Sequence, residues 1–145
     1  MPHVTEAGRR IAQERGAKHL SFTNNIAAIG EADIVFAAGS LQYLEEGFLH
    51  QALREASKLP THLIVHRTAL HPTRSFVTLQ SINQRSGRIA FCPYTVAHRE
   101  RFIEGLQALG YEQIDTWTKQ RPIEVPLRPE CFVDTYSGLY FRLRT

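Results

Sequence analysis

The stretch Ala32-Asp33-Ile34-Val35-Phe36-Ala37-Ala38-Gly39-Ser40 decides how the chain is read. Every position from Ile34 to Ala38 is apolar, the pattern of a strand buried on both faces in a parallel sheet. Gly39-Ser40 ends it. Downstream, residues Glu45 to Lys58 place Phe48, Leu49, Ala52, Leu53 and Ala56 on one helical stripe, which Leu59-Pro60 terminates. Thr61 to His66 then reads as a second buried strand. Strand, helix, strand in this order is a βαβ unit with a right-handed crossover, so the fold class is α/β.

The flanks extend the pattern. Val4 to Arg15 carries Val4, Ala7, Gly8, Ile11 and Ala12 at helical spacing, with Thr5 as a cap and Gly16 past the end. Lys18 to Thr23 is short and β-compatible, and Asn24-Asn25 suits the turn after it. Arg67 to Ile89 is irregular and turn-rich around His71-Pro72 and Ser86-Gly87, with one alternating stretch, Phe76 to Gln80, that fits a small extra strand. Ala97 to Leu109 is a third helix closed by Gly110. Tyr111 to Lys119 and Tyr136 to Arg144 read as two strands, joined by a Pro-containing loop and pairing antiparallel. One domain, residues 1–145, accounts for the whole chain.

Composition narrows the function classes. The 145 residues hold 17 Lys plus Arg against 14 Asp plus Glu, and the basic residues are scattered, which is not a nucleic-acid footprint. No apolar run reaches the length of a membrane span, and Met1 to Glu6 has no signal-peptide character, so a cytoplasmic location without membrane attachment is expected. Cys92 and Cys131 make neither a disulfide framework nor a zinc site. His62 and His66 lie on a strand about 13 Å apart, too far to share an ion, and no metal site is expected. There is no Gly-x-Ser-x-Gly elbow and no Gly-rich phosphate loop.

What remains is positional. In open α/β sheets, ligands bind beyond the carboxyl ends of the strands. Those ends carry Phe22-Thr23, Gly39-Ser40-Leu41-Gln42-Tyr43 and Arg67-Thr68. Gly39 permits close backbone approach to a ligand, Ser40 and Gln42 offer hydrogen bonds, and Tyr43 offers a ring and a hydroxyl. The same residues also suit a tight strand-to-helix turn. Arg67 is either an anion contact or one half of a structural ion pair with Glu45 or Glu46.

Taken as a set, Ala32 to Leu44, the strand ending in Arg67, Pro93-Tyr94, Leu109-Gly110-Tyr111, Asp115-Thr116-Trp117 and Tyr136 to Phe141 resemble the class I S-adenosylmethionine-dependent methyltransferases. The similarity covers nearly the whole chain and corresponds to the family's C-terminal two thirds. It implies a Rossmann-like sheet in the order 3-2-1-4-5-7-6 with strand 7 antiparallel. Here Lys18 to Phe22 would be family strand 3, Ala32 to Ala38 strand 4, Thr61 to His66 strand 5, Tyr111 to Lys119 strand 6 and Tyr136 to Arg144 strand 7. The resemblance further implies methyl transfer from S-adenosylmethionine to a small-molecule acceptor. Phe22, Thr23, Gly39, Ser40, Leu41 and Gln42 would bind the cofactor, while Tyr43 and Arg67 would serve the reaction.

The family's Gly-rich loop and ribose-binding acidic residue have no counterpart in this sequence, so the domain is expected to be N-terminally truncated relative to the family. The expected consequence is a free edge on family strand 4, an association-prone feature. Either the N-terminal 30 residues are loosely docked or displaced, or that edge is covered by strand 3 or by another copy in a homo-oligomer. A noncatalytic interaction domain using the same edge is the alternative function.

Overall fold

The computed structural model describes residues 2–83 and 87–144. Chain order gives α1 (Pro2–Glu14), β1 (Ile34–Ala38), α2 (Phe48–Glu55), β2 (His62–His71), β3 (Phe76–Asn83), β4 (Ile89–His98), α3 (Arg99–Gln107), β5 (Tyr111–Ile123) and β6 (Val133–Leu143). Short 3-10 turns at Ile26–Glu31, Leu41–Tyr43 and Pro129–Cys131 join them. No helix among the described residues is long and apolar enough to cross a membrane.

The fold is mixed α/β, a six-stranded sheet with helices packed on it. β1 pairs β2 in parallel from Ile34 with His62 to Ala38 with His66. On its other edge β2 takes β6 antiparallel, and β6 in turn takes β5 antiparallel. The order β1-β2-β6-β5 is therefore the 4-5-7-6 order that the sequence resemblance implies, with the antiparallel strand inserted between β2 and β5. This insertion makes β6 a central strand, and Leu139 and Phe141 are completely buried. Leu49 and Leu53 of α2 and Phe102 and Leu106 of α3 pack on the same face with Leu63, Val65 and Tyr111. The apolar stripes read from the sequence are thus the ones that meet. Tyr111 is fully buried and donates to the Pro60 carbonyl at 2.7 Å; burial pushes its phenol up to about 12.

Three readings of the sequence need correction. Lys18 to Phe22 is not a strand, because among the described residues no strand lies beside it to take up its backbone groups, so family strand 3 has no counterpart among them. β1 is not buried on both faces. Val35 packs against the main core, whereas Ile34 and Phe36 are 57% and 62% exposed, because the helices cover only the Val35 side. The irregular segment after Arg67 is instead organised: β2 runs on to His71, and β3 and β4 form an antiparallel hairpin with Phe76 opposite Val96 and Asn83 opposite Ile89. Of the expected Ser86-Gly87 turn, Ser86 lies outside the described residues.

A bulge in β2 makes room for that hairpin. Val65 pairs Leu139 while Thr68 pairs Ser137, so His66 and Arg67 add one residue to β2, and Arg67 takes the left-handed conformation at φ 55°. Before the bulge the edge of β2 belongs to β1. After it, Leu70 and His71 pair Ala97 and His98 of β4. A second, smaller core of Ala69, Tyr94, Val96, Val133 and Tyr136 fills this outer half. α1 contributes to neither core. It holds the following loop instead: Phe22 lies over Gly8, where a Cβ would come within 2.6 Å of its ring, and Arg9 donates to the Phe22 carbonyl at 2.8 Å. The N-terminal segment is therefore packed chiefly on itself.

Candidate functional site

The carboxyl end of β1 meets β2 at its bulge. The Gly39 amide donates to the His66 carbonyl at 2.8 Å, extending the parallel pairing by one residue before the chain turns away. Gly39 has φ 62°, the left-handed conformation that glycine takes without steric cost. A Cβ there would lie 3.7 Å from Gln42 Nε2 and 3.9 Å from Arg67 Cβ, so Gly39, Gln42 and Arg67 form one cluster. Ser40 is exposed and its side chain makes no capping bond, while Leu41 packs against the main core.

Gln42 is only 6% exposed, and its Oε1 has no hydrogen-bond partner among the described residues; the same holds for Oγ1 of Thr68, 3% exposed. A buried polar atom left unpaired costs about 1–3 kcal/mol, so two of them lining one hollow of about 30 Å³ are a concentrated expense beside the strand ends. Arg67 is exposed and makes no ion pair among the described residues. Glu46, one of the carboxylates the sequence offered it, instead accepts a hydrogen bond from Ser75. A non-glycine residue held at positive φ costs roughly 1–2 kcal/mol. Arg67→Gly is therefore expected to leave stability unchanged or to raise it by up to about 1 kcal/mol in urea denaturation, once glycine's own entropy cost is counted. A marked loss would show that the guanidinium holds the fold together.

The hairpin clamps the segment that follows β1. Tyr43 donates to Gln80 Oε1 at 2.8 Å, Thr95 Oγ1 donates to the Leu44 carbonyl at 2.9 Å, and the Ser75 to Glu46 bond adds a third tie. The Tyr43 ring stands edge-on to Tyr94 with centroids 5.8 Å apart. Tyr94 donates to the Tyr136 hydroxyl at 2.8 Å. Burial first, then that bond, hold the Tyr94 phenol well above its ordinary range, so it stays protonated. Arg121 lies 6.0 Å from the centre of the Tyr136 ring.

Of the residues singled out in the sequence, Gly39, Gln42 and Arg67 are brought together and Tyr43 is adjoining. Phe22 and Thr23 are held elsewhere by their own contacts, Phe22 against α1 and Thr23 accepting from the Asn25 amide at 3.0 Å. Gln80, Tyr94, Arg121 and Tyr136 join the neighbourhood although the sequence marks none of them as a site residue. They come from four different strands, and only the hairpin and the β5–β6 register unite them. His62 and His66 are each taken by an aromatic partner, Tyr140 at 2.9 Å and Trp117 at 3.0 Å.

No protein-family profile matches the chain, and no curated protein matches it in sequence. Among solved structures, the crystal structure of the glycopeptide N-methyltransferase MtfA is similar over 77% of this chain, with a TM-score of 0.45 and 11% identity. The chain spans about half of that structure, 54% of its length.

Proposed function

We propose that the chain is a methyltransferase-type domain in which the end of β1 and the β2 bulge bind S-adenosylmethionine and the hairpin side receives a small-molecule acceptor. One observation carries this reading: the order β1-β2-β6-β5 with β6 antiparallel, in which Gly39 at the carboxyl end of β1 lies beside Arg67 in the β2 bulge, where the parallel pairing of the two strands stops. The residues present fit part of such a cofactor. Gly39 leaves room for backbone approach, the Ser40 hydroxyl is exposed, and Gln42 keeps a buried acceptor unspent. A ribose would call for a carboxylate at a strand end, and Gly39 to Tyr43 and Arg67-Thr68 include none.

When bound, the cofactor supplies an electrophilic methyl group. This chain's own residues would orient the partners, which is a large part of any such rate enhancement. Gly39 to Gln42 would hold the cofactor, while Phe22 and Thr23, held against α1 and Asn25, would take no part in it. Arg67 would face an anionic group, and the Tyr43 hydroxyl, its proton donated to Gln80, would offer its oxygen as a hydrogen-bond acceptor to the incoming substrate. Calorimetric titration of the folded chain with S-adenosylmethionine and with S-adenosylhomocysteine tests this. Binding in the micromolar range, about 8 kcal/mol, is expected. A folded chain that binds neither would refute the reading.

The second reading is a noncatalytic domain that pairs with a second copy through β1. The observation favouring it is that, among the described residues, β1 has one hydrogen-bonded neighbour, β2, while Ile34 and Phe36 stand exposed beside the open edge. Light scattering across a dilution series separates the two, since this reading requires a dimer at concentrations where the first allows a monomer.

A further inference from the structure

We propose that the hollow between the β3–β4 hairpin and the adjoining ends of β5 and β6 binds a small carboxylate carried on a flat apolar body. The hollow measures about 260 Å³ and lies one side chain from Tyr43, because Gln80, which accepts the Tyr43 hydroxyl, lines it. Its chemistry is mixed. Tyr94 and Tyr136, 3% and 6% exposed, Pro122 and Ile123 with their apolar surface, and the exposed Arg121 line it together.

Two observations point to a ligand. The first is proton counting. Tyr94 and Tyr136 have two O–H groups between them and bond only each other among the described residues. Whichever donates, one buried O–H is left over beside the hollow, asking for an acceptor. The second is charge. Arg121 has no ion pair among the described residues, and it stands over the same Tyr136 ring. A guanidinium and a spare phenolic donor beside one hollow match the two oxygens of a carboxylate, while Pro122 and Ile123 would flank a planar apolar body. Glu124 also lines the hollow and would repel the carboxylate, so the bound anion would sit where Arg121 outweighs it. The site's use as the acceptor's seat rests on the methyl-transfer reading above; its ability to bind a carboxylate does not.

The test is a titration of the full chain with sodium benzoate and with benzamide, its uncharged counterpart, followed by two-dimensional nitrogen–proton NMR. Benzoate is expected to shift the Arg121 Nε–H and the amides of Gln80, Tyr94 and Tyr136, with benzamide at least about tenfold weaker. Arg121→Gln, at an exposed position, should weaken benzoate by a similar factor. Equal affinity for benzamide, an unchanged Kd in Arg121→Gln, shifts confined to other residues, or no shifts at all would each overturn the proposal. S-adenosylhomocysteine titrated into the wild-type chain in parallel keeps the two ideas apart. Benzoate binding without it leaves the carboxylate site standing and removes the methyl-transfer reading, and the converse removes only the carboxylate site.

Discussion

Phe141→Ala is expected to cost about 3–5 kcal/mol in urea denaturation, the range for truncating a buried aromatic in a core that relaxes only partly. The size of the effect follows from where β6 sits. Phe141 pairs Leu63 of β2 on one side and Gln113 of β5 on the other, and its ring is completely buried with the α2 and α3 leucines. A domain of ordinary stability has about 5–15 kcal/mol in total, so the variant would lose a large share of it. Leu143→Ala, two residues on and only partly buried, should cost distinctly less. Equal small losses at both positions would mean that β6 is an edge strand, and the order β1-β2-β6-β5 would fall with it.

The next largest effect is expected at Gly138. The indole of Trp117 crosses this glycine so closely that a Cβ would lie 2.0 Å from its Cε2 and 2.1 Å from its Nε1. Trp117 pairs Gly138 across β5 and β6, and its Nε1 donates to His66 Nδ1 at 3.0 Å. Gly138→Ala must therefore push the ring away and break that bond. Overpacking of this kind costs about 1–3 kcal/mol, and the lost bond adds about 1 kcal/mol. Trp117 is the chain's single tryptophan, so its emission should shift to longer wavelength in the folded variant. Unchanged emission with unchanged stability would place the indole elsewhere. Because His66 belongs to the bulge beside Arg67, this substitution also probes how firmly the strand-end site is held.

The elements that the sequence reveals are those whose apolar spacing matches a packed face. α2, β2, α3 and β6 place apolar residues of their patterns in the main core, while β1 sends only Val35 toward it, and the strand-end rule leads to Gly39, Gln42 and Arg67 from β1 and β2 alone. Lys18 to Phe22 misleads because β-compatible composition cannot supply a neighbouring strand. β4 is hidden by Pro93, a residue that argues against a sheet interior. In the fold Pro93 pairs Leu79 at a point where β4 has β3 as a neighbour but not yet β2. The carboxylate hollow is illegible for a different reason. Gln80, Tyr94, Arg121 and Tyr136 carry no local motif, and their meeting depends on the β2 bulge, which no pattern in Val65 to Thr68 announces.

Whether the end of β1 and the β2 bulge form the cofactor site is tested most directly by mapping S-adenosylhomocysteine onto the chain by nitrogen–proton NMR. Saturable shifts are expected at the Gly39, Ser40 and Gln42 amides and at the Arg67 Nε–H. Saturable binding whose shifts bypass Gly39 to Gln42 and Arg67 would contradict a strand-end site, as would the absence of any shift in a folded chain.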